Sequence, residues 1–221
     1  DIAVGASVYT PFVNERGGIE ADNTVTRLGP QKFLVVTGHP SQIRDRDFIA
    51  THADPTWRFE IFDATSSFAL LSLHGPASRA LLQELSSDNL SNAAFPFGAA
   101  RVIDLAFARV WAIRRSFFGE LGFELLIESE FAAGVYEALI DAGHRHGLRH
   151  AGMLAMNHCR VEKGFKHFGH DIGEEDTPFE AGLGFAVNLD KATPSLGHTA
   201  LAAQKSAGPV LVHRAVNIAL T

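Results

Sequence analysis

The chain has 221 residues, 46% hydrophobic and 20% charged, a composition that can bury a sizeable core without disulfide staples. A formal charge of −6, from 19 basic and 25 acidic residues, argues against a broad nucleic-acid surface, and the single cysteine, Cys159, excludes an internal disulfide and a Cys-based zinc cluster. No apolar run approaches the roughly 20 residues that span a bilayer, the first residues do not read as a signal peptide, and the lone thiol fits a reducing compartment.

In chain order, Val4 to Val13, Ile19 to Leu28 and Phe33 to Thr37 read as strands, rich in β-branched and aromatic residues. Asn14-Glu15-Arg16-Gly17-Gly18 between the first two suits a hairpin turn. Ser41 to His52 interleaves charges with Ile43, Phe48 and Ile49 and predicts a helix opened by a Ser cap. Trp57 to Asp63 and Ser67 to His74 read as strands, and Pro76 to Leu85 as a helix with proline in its first turn, where a missing N–H costs nothing. After a loop over Ser86 to Phe97 come strand-like stretches at Ala100 to Phe107, Val110 to Phe118 and Phe123 to Glu128. Phe131 to His146 places Val135, Leu139 and Ile140 at helical spacing before the stop at Gly147, and Met153 to Lys163 is a second helix closed by Gly164. The remainder is loop-rich, with one short helix near Thr199 to Gln204. Strands that arrive in runs, rather than alternating strictly with helices, predict an α+β class with largely antiparallel sheets and packed helices.

Nucleotide binding finds no motif. Gly182-Leu183-Gly184 starts a G-x-G, but Val187 stands at the third glycine and no strand precedes it; no G-x-x-x-x-G-K-[ST] occurs. Six of the eleven histidines lie between His144 and His170, yet neither H-E-x-x-H nor a 2-His-1-carboxylate spacing appears, so no metal is expected. Cys159, mid-helix among Met156, Arg160 and Val161, reads as a structural thiol, because no local pattern activates it.

Two carboxylates stand out. With the turn centred on Glu15-Arg16, Tyr9 lies directly opposite Asp22; with a slip to Arg16-Gly17 the pair is diagonal on the same sheet face. Thr24 and Thr26 extend this polar row, which reads either as the solvated side of a sheet or as a pocket in which Asp22 handles a proton or a cation. In Gly119-Glu120-Leu121-Gly122-Phe123-Glu124 a glycine-bounded turn leads to Glu124, either a strand-end carboxylate in water or an acceptor for two parallel N–H groups of a heterocycle edge.

The stretch Asn14-Glu15-Arg16-Gly17-Gly18-Ile19-Glu20-Ala21-Asp22, followed by Thr24-Val25-Thr26-Arg27-Leu28, resembles the glycine-cleavage T-protein (aminomethyltransferase) family, and more closely the folate-binding region of dimethylglycine and sarcosine dehydrogenases. Leu73-His74-Gly75-Pro76, the Gly119 to Glu124 block, Arg160-Val161-Glu162-Lys163-Gly164 and Pro178 to Val187 with Leu189-Asp190-Lys191 follow in the family's order. The resemblance implies a tetrahydrofolate site and transfer of a one-carbon unit to N5 of that folate. It implies that Asp22 is the aspartate beside the folate nitrogens, that Tyr9 lines the same cavity, and that Glu124 grips the amino-pyrimidine edge of the pterin. Thr37, in place of an Asn of the T-protein, and Phe117, where the family often has Tyr, join the folate-binding set. Met156-Asn157-His158-Cys159 replaces a segment whose arginine T-proteins direct towards folate, which favours the dehydrogenase branch.

On this resemblance the chain is a folate-dependent transferase region of a flavin-linked dimethylglycine or sarcosine dehydrogenase-like enzyme. The alternatives are a free-standing aminomethyltransferase and a non-catalytic folate-binding module. Its partners are folate and a small donor derived from an N-methyl amine, with FAD only in a separate N-terminal domain, no nucleic acid and no membrane. The location implied is the cytoplasm, or the mitochondrial matrix in a eukaryote. The expected organisation is a first folate-binding subdomain over 1–58, a second α+β subdomain over 59–150, a return segment over 151–195 and the start of a β-barrel over 196–221. The opening Asp1-Ile2-Ala3 without Met and the apolar end, with a strand over Val210 to Leu220, imply truncation at both ends.

Overall fold

A computed structural model describes residues 2–208 of the chain. Its strands are β1 (Ser7–Val13), β2 (Ile19–Gly29), β3 (Lys32–Val36), β4 (Phe68–His74), β5 (Ala100–Leu105), β6 (Ala108–Ile113) and β7 (Gly122–Glu128). The helices are α1 (Gln42–His52), α2 (Ser78–Leu85), α3 (Ala132–Gly143), α4 (Met153–Glu162) and α5 (His198–Ala207). β1, β2 and β3 form one sheet in that order, and the second sheet runs β4-β7-β6-β5 with every neighbouring pair antiparallel. The α+β class expected from the order of elements is the one observed. The strand expected over Val210 to Leu220 lies outside the described residues.

Backbone contacts divide the chain into two compact units. The first takes in the chain start up to Ser7, Thr26–Leu34 and Phe62–Phe165; the second takes in Val8–Val25, Val35–Ile61 and the residues from Lys166 onward.

The first unit has the larger core. Because strand side chains alternate, Phe123, Leu125 and Ile127 of β7 all face one side, together with Leu73 of β4 and Val110 and Ala112 of β6. On α3, Val135, Leu139 and Ala142 are buried at helical spacing, and on α2 Leu81 and Leu82 are buried. These stripes, with Leu90 and Phe95 from the intervening loop, close one cluster over that sheet face. The opposite face carries a smaller cluster of Ala100, Ile113 and Leu126, joined by Leu34, Phe68 and Trp111. That alternation leaves Glu124, paired with Ser72 on one side and Ile113 on the other, on the sparsely covered face.

The second unit is built around Ile19, Ile172, Ala181 and Leu183, with Tyr9 and Phe168 packed against them. The Pro178 to Val187 block owes part of its pattern to this core. Glu180 accepts from the Thr177 N–H and hydroxyl while Thr177 accepts from the Glu180 N–H, a reciprocal cap that sets Ala181 and Leu183 inward.

Three local expectations are corrected. Trp57 to Asp63 is not a strand; Trp57, Phe59, Ile61 and Phe62 are exposed, and the segment has no ladder partner, without which β propensity alone does not hold a strand. β6 stops at Ile113 rather than Phe118: the Arg114 N–H still reaches the Ala99 carbonyl in register, but Gly98 instead of Ala99 donates back to the Arg114 carbonyl, the ladder ends there, and the chain bends into the Gly119 turn. α3 ends at Gly143, and His144–His146 tightens into a 3-10 turn before the left-handed Gly147. No helix among the described residues is long and apolar enough to cross a membrane.

Candidate functional site

Asp22 is placed by the hairpin that precedes it. Asn14 Oδ1 accepts the N–H groups of Arg16 and Gly18, each at 3.0 Å, and the Asn14 N–H donates to the Gly18 carbonyl at 2.9 Å. The loop therefore holds three residues, Glu15–Gly17, instead of a two-residue turn centred on Glu15-Arg16 or Arg16-Gly17. Gly17 supplies the left-handed conformation (φ +78°) that this loop type needs. On β2 the buried Ile19, Ala21 and Asn23 alternate with the half-buried Glu20, Asp22 and Thr24. The polar row does not continue as expected: Thr26 is fully buried and donates to Ser7 Oγ at 2.9 Å.

Asp22 Oδ2 accepts the backbone N–H of Phe168 at 3.2 Å, across 146 residues of sequence. Burial raises the Asp22 carboxyl above its ordinary value, and the Asp45 carboxylate pushes the same way; the Phe168 N–H, its own N–H and Arg44 oppose them. Tyr9 is lifted above its ordinary value of 10 by burial first and the Asp22 carboxylate second, so it remains a protonated phenol and a donor. Its ring lies 6.4 Å from the exposed Phe185. Thr37 donates its hydroxyl to Asp45 Oδ2. The structure thus brings Asp22, Tyr9 and Thr37 into one electrostatic neighbourhood of the second unit, with Asp45 as the link between Thr37 and Asp22.

Glu124 and Phe117 belong to the first unit. Glu124 is half-buried on β7, its carboxyl is raised by burial, and Arg115 pulls it back. Arg115 is in turn lowered by burial and supported by Glu124; its Nη2 donates to the Ser7 carbonyl at 2.7 Å, and its buried Nε has no partner. Among the described residues no protein group donates a hydrogen bond to Glu124. Beside it, His74 faces Gly122 across the β4–β7 ladder and packs edge-on against Phe118, ring centroids 4.2 Å apart. A Cβ on Gly122 would lie 2.0 Å from His74 Nδ1, so only glycine fits there. Phe117 lies 6.4 Å from Phe118, ring to ring. A cavity of about 360 Å³ adjoins the turn, lined by Arg114, Arg115, Glu120, Gly122 and Phe165 among others.

Of the remaining candidates, the rings of His167 and His170 are tilted against each other with centroids 4.3 Å apart, His146 Nε2 lies 2.9 Å from Glu84 Oε2, and Cys159 is half-buried on α4. Among the described residues no three His, Cys, Asp or Glu side chains are grouped to hold a metal ion. Sequence reasoning did not single out Arg44, Asp45 or Arg115. The only signal for Asp45 was an acid in a helical first turn, where acids are common, and its burial depends on contacts distant in sequence.

A sequence model of the GCVT N-terminal domain matches residues 1–191. The 4-methylaminobutanoate oxidase (formaldehyde-forming) of Paenarthrobacter nicotinovorans is 40% identical over 220 residues, which cover 100% of this chain and 26% of that protein. Mitochondrial sarcosine dehydrogenase of Mus musculus is 38% identical over 218 residues, 92% of this chain and 24% of the relative. Among solved structures, glycine cleavage system aminomethyltransferase T from Bartonella henselae matches with a TM-score of 0.80 at 26% identity, covering 94% of this chain and 55% of that one. The chain spans about a quarter of the length of the two curated relatives.

Proposed function

This chain belongs to the GCVT N-terminal domain family, and we propose that it is the tetrahydrofolate-binding, one-carbon-transfer region of a flavin-linked enzyme that oxidises small N-methyl amines. The observation that carries this reading is Glu124: a half-buried carboxylate, raised by burial, to which no described protein group donates. A carboxylate partly withdrawn from water and without a protein donor gains from a ligand that offers it N–H groups. The amino-pyrimidine edge of a pterin offers two adjacent N–H donors, which a carboxylate accepts in parallel. The residues present therefore fit a reduced folate. The homology to an oxidase and to a sarcosine dehydrogenase favours the dehydrogenase branch for the source of the one-carbon unit.

Bound tetrahydrofolate would supply N5, the amine that takes up the one-carbon unit. Asp22, made more basic by burial, holds the proton released from that amine on its carboxylate. Tyr9 stays protonated, so its phenol remains an available donor in the field of the same carboxylate. Glu124 fixes the orientation of the pterin, and the Phe117 ring contributes a stacking face without the hydroxyl of a tyrosine. The amine-oxidising step belongs to a flavin domain outside these residues, and the donor reaching Asp22 is an iminium derived from the N-methyl amine. The setting is the cytoplasm, or the mitochondrial matrix in a eukaryote, as the name of the mouse relative suggests.

Calorimetric titration of the full chain with tetrahydrofolate tests the reading. The wild type binds, and Asp22→Ala and Glu124→Ala each bind at least about tenfold more weakly, the equivalent of one charge-assisted hydrogen bond. Absence of heat in the wild type at millimolar folate would sink the proposal.

A further inference from the structure

We propose that Asp45 is a positioning residue for Asp22: its buried carboxylate clamps Arg44 and the Thr37 hydroxyl, and thereby fixes the cation and the backbone donor that face Asp22. The inference deepens the folate reading, on which it rests only for what Asp22 does.

Asp45 is 2% exposed, and among the described residues no other acid is buried to that degree. A carboxylate withdrawn from water persists only when its oxygens are matched by strong donors. Here the two oxygens are divided between two partners. Oδ2 takes the Thr37 hydroxyl, while Oδ1 takes Arg44 Nε at 3.2 Å and Nη2 at 3.1 Å. The anchored guanidinium reaches Glu174 through Nη1 at 3.9 Å and lies 4.7 Å from the centroid of the Phe168 ring. The backbone N–H of that same Phe168 is the donor to Asp22 Oδ2. One continuous set of contacts therefore runs from α1, through the Phe168 loop, to β2.

An acid in the first turn of a helix has a simpler role, interaction with the helix dipole, but that role needs neither burial nor side-chain partners. Asp45 has both. Its effect on Asp22 has a definite sign. The groups facing Asp22 are Asp45 and Arg44 from α1, the Tyr9 phenol from β1 and the Phe168 N–H, with Glu174 on the far side of Arg44. Neutralising Asp45 leaves the Arg44 charge uncompensated and makes Asp22 more acidic. Neutralising Arg44 leaves Asp45 uncompensated and makes Asp22 less acidic.

The test uses the full chain with 13C-labelled aspartate carboxyls, titrated by NMR, with the Asp22 resonance assigned by its loss in Asp22→Asn. Asp45→Asn moves the Asp22 midpoint to lower pH, Arg44→Gln moves it to higher pH, and Asp45→Glu restores the wild-type value. A purely structural role for Asp45 would not produce shifts of opposite sign. If Asp45→Asn loses its far-UV circular dichroism, Arg44→Lys takes its place: it keeps the charge but not the two-point contact with Asp45 Oδ1, and its Asp22 midpoint shifts towards that of Arg44→Gln, whereas a wild-type midpoint in Arg44→Lys would overturn the proposal. An unchanged midpoint in the folded variants, or shifts in the same direction, would overturn the proposal. Tetrahydrofolate titrated into the same samples separates the two ideas. Folate binding whose acid limb follows the NMR midpoint supports both. Opposite midpoint shifts without folate binding overturn the folate reading and leave the positioning of Asp22 by Asp45 standing.

Discussion

Replacing His74 by glutamine flattens the acid limb of the stability curve. The imidazole is packed edge-on against Phe118, its Nδ1 is buried without a partner, and burial holds it down to about 4 from an ordinary 6.5. Between those two values the unfolded chain binds a proton at His74 that the folded chain does not. Stability is therefore lost as pH falls from about 6.5 to about 4, and the loss is complete below 4. At 1.36 kcal/mol for each pH unit separating the two states, the loss is at most about 3 kcal/mol. Glutamine is polar and never charged here, so His74→Gln removes this contribution while the titrations of the carboxylates remain. Urea unfolding of both proteins at pH 7 and pH 4 measures it: the wild type loses about 2–3 kcal/mol more than the variant. Equal losses in the two proteins would refute the burial argument for His74.

Three other outcomes follow from the same geometry. Gly122→Ala puts a methyl 2.0 Å from His74 Nδ1 and 2.9 Å from the Arg115 carbonyl, so thermal unfolding should show a cost of about 1–3 kcal/mol, smaller in a His74→Ala background where the ring is gone. Asn23 is 1% exposed with neither amide atom hydrogen-bonded, so Asn23→Leu stabilises the fold by about 1–3 kcal/mol in the same assay; a loss of stability would mean that the amide is matched. Because burial raises Asp22, its charged form is penalised above the folded midpoint and relieved as pH falls through it. Asp22→Asn therefore raises the melting temperature at pH 7, does so less at pH 3, and weakens tetrahydrofolate binding.

Much of the fold could be read from local pattern because the pattern and the packing agree. β7 alternates Phe123, Leu125 and Ile127 towards the helices, and α3 places Val135 and Leu139 where that face needs them. Trp57 to Asp63 shows the limit: its residues favour a strand, but whether one forms depends on a neighbouring backbone edge that local sequence does not contain. The candidate site divides the same way. Asp22 and Glu124 were legible because each follows a glycine-marked turn in a recognisable block. Arg44, Asp45 and Phe168 were not, because their bearing on Asp22 comes from contacts made across up to 146 residues of chain. His74 was visible as part of a motif, yet its isolation from water follows from the register that sets it against Gly122.

The folate reading turns on Glu124 holding a pterin edge. Equilibrium titration of wild type and Glu124→Gln with tetrahydrofolate and, separately, with p-aminobenzoylglutamate isolates that contact. Glu124→Gln loses at least about tenfold in affinity for tetrahydrofolate and none for the ligand without a pterin, because only the pterin presents the paired N–H groups. Equal tetrahydrofolate affinity in the two proteins would contradict it.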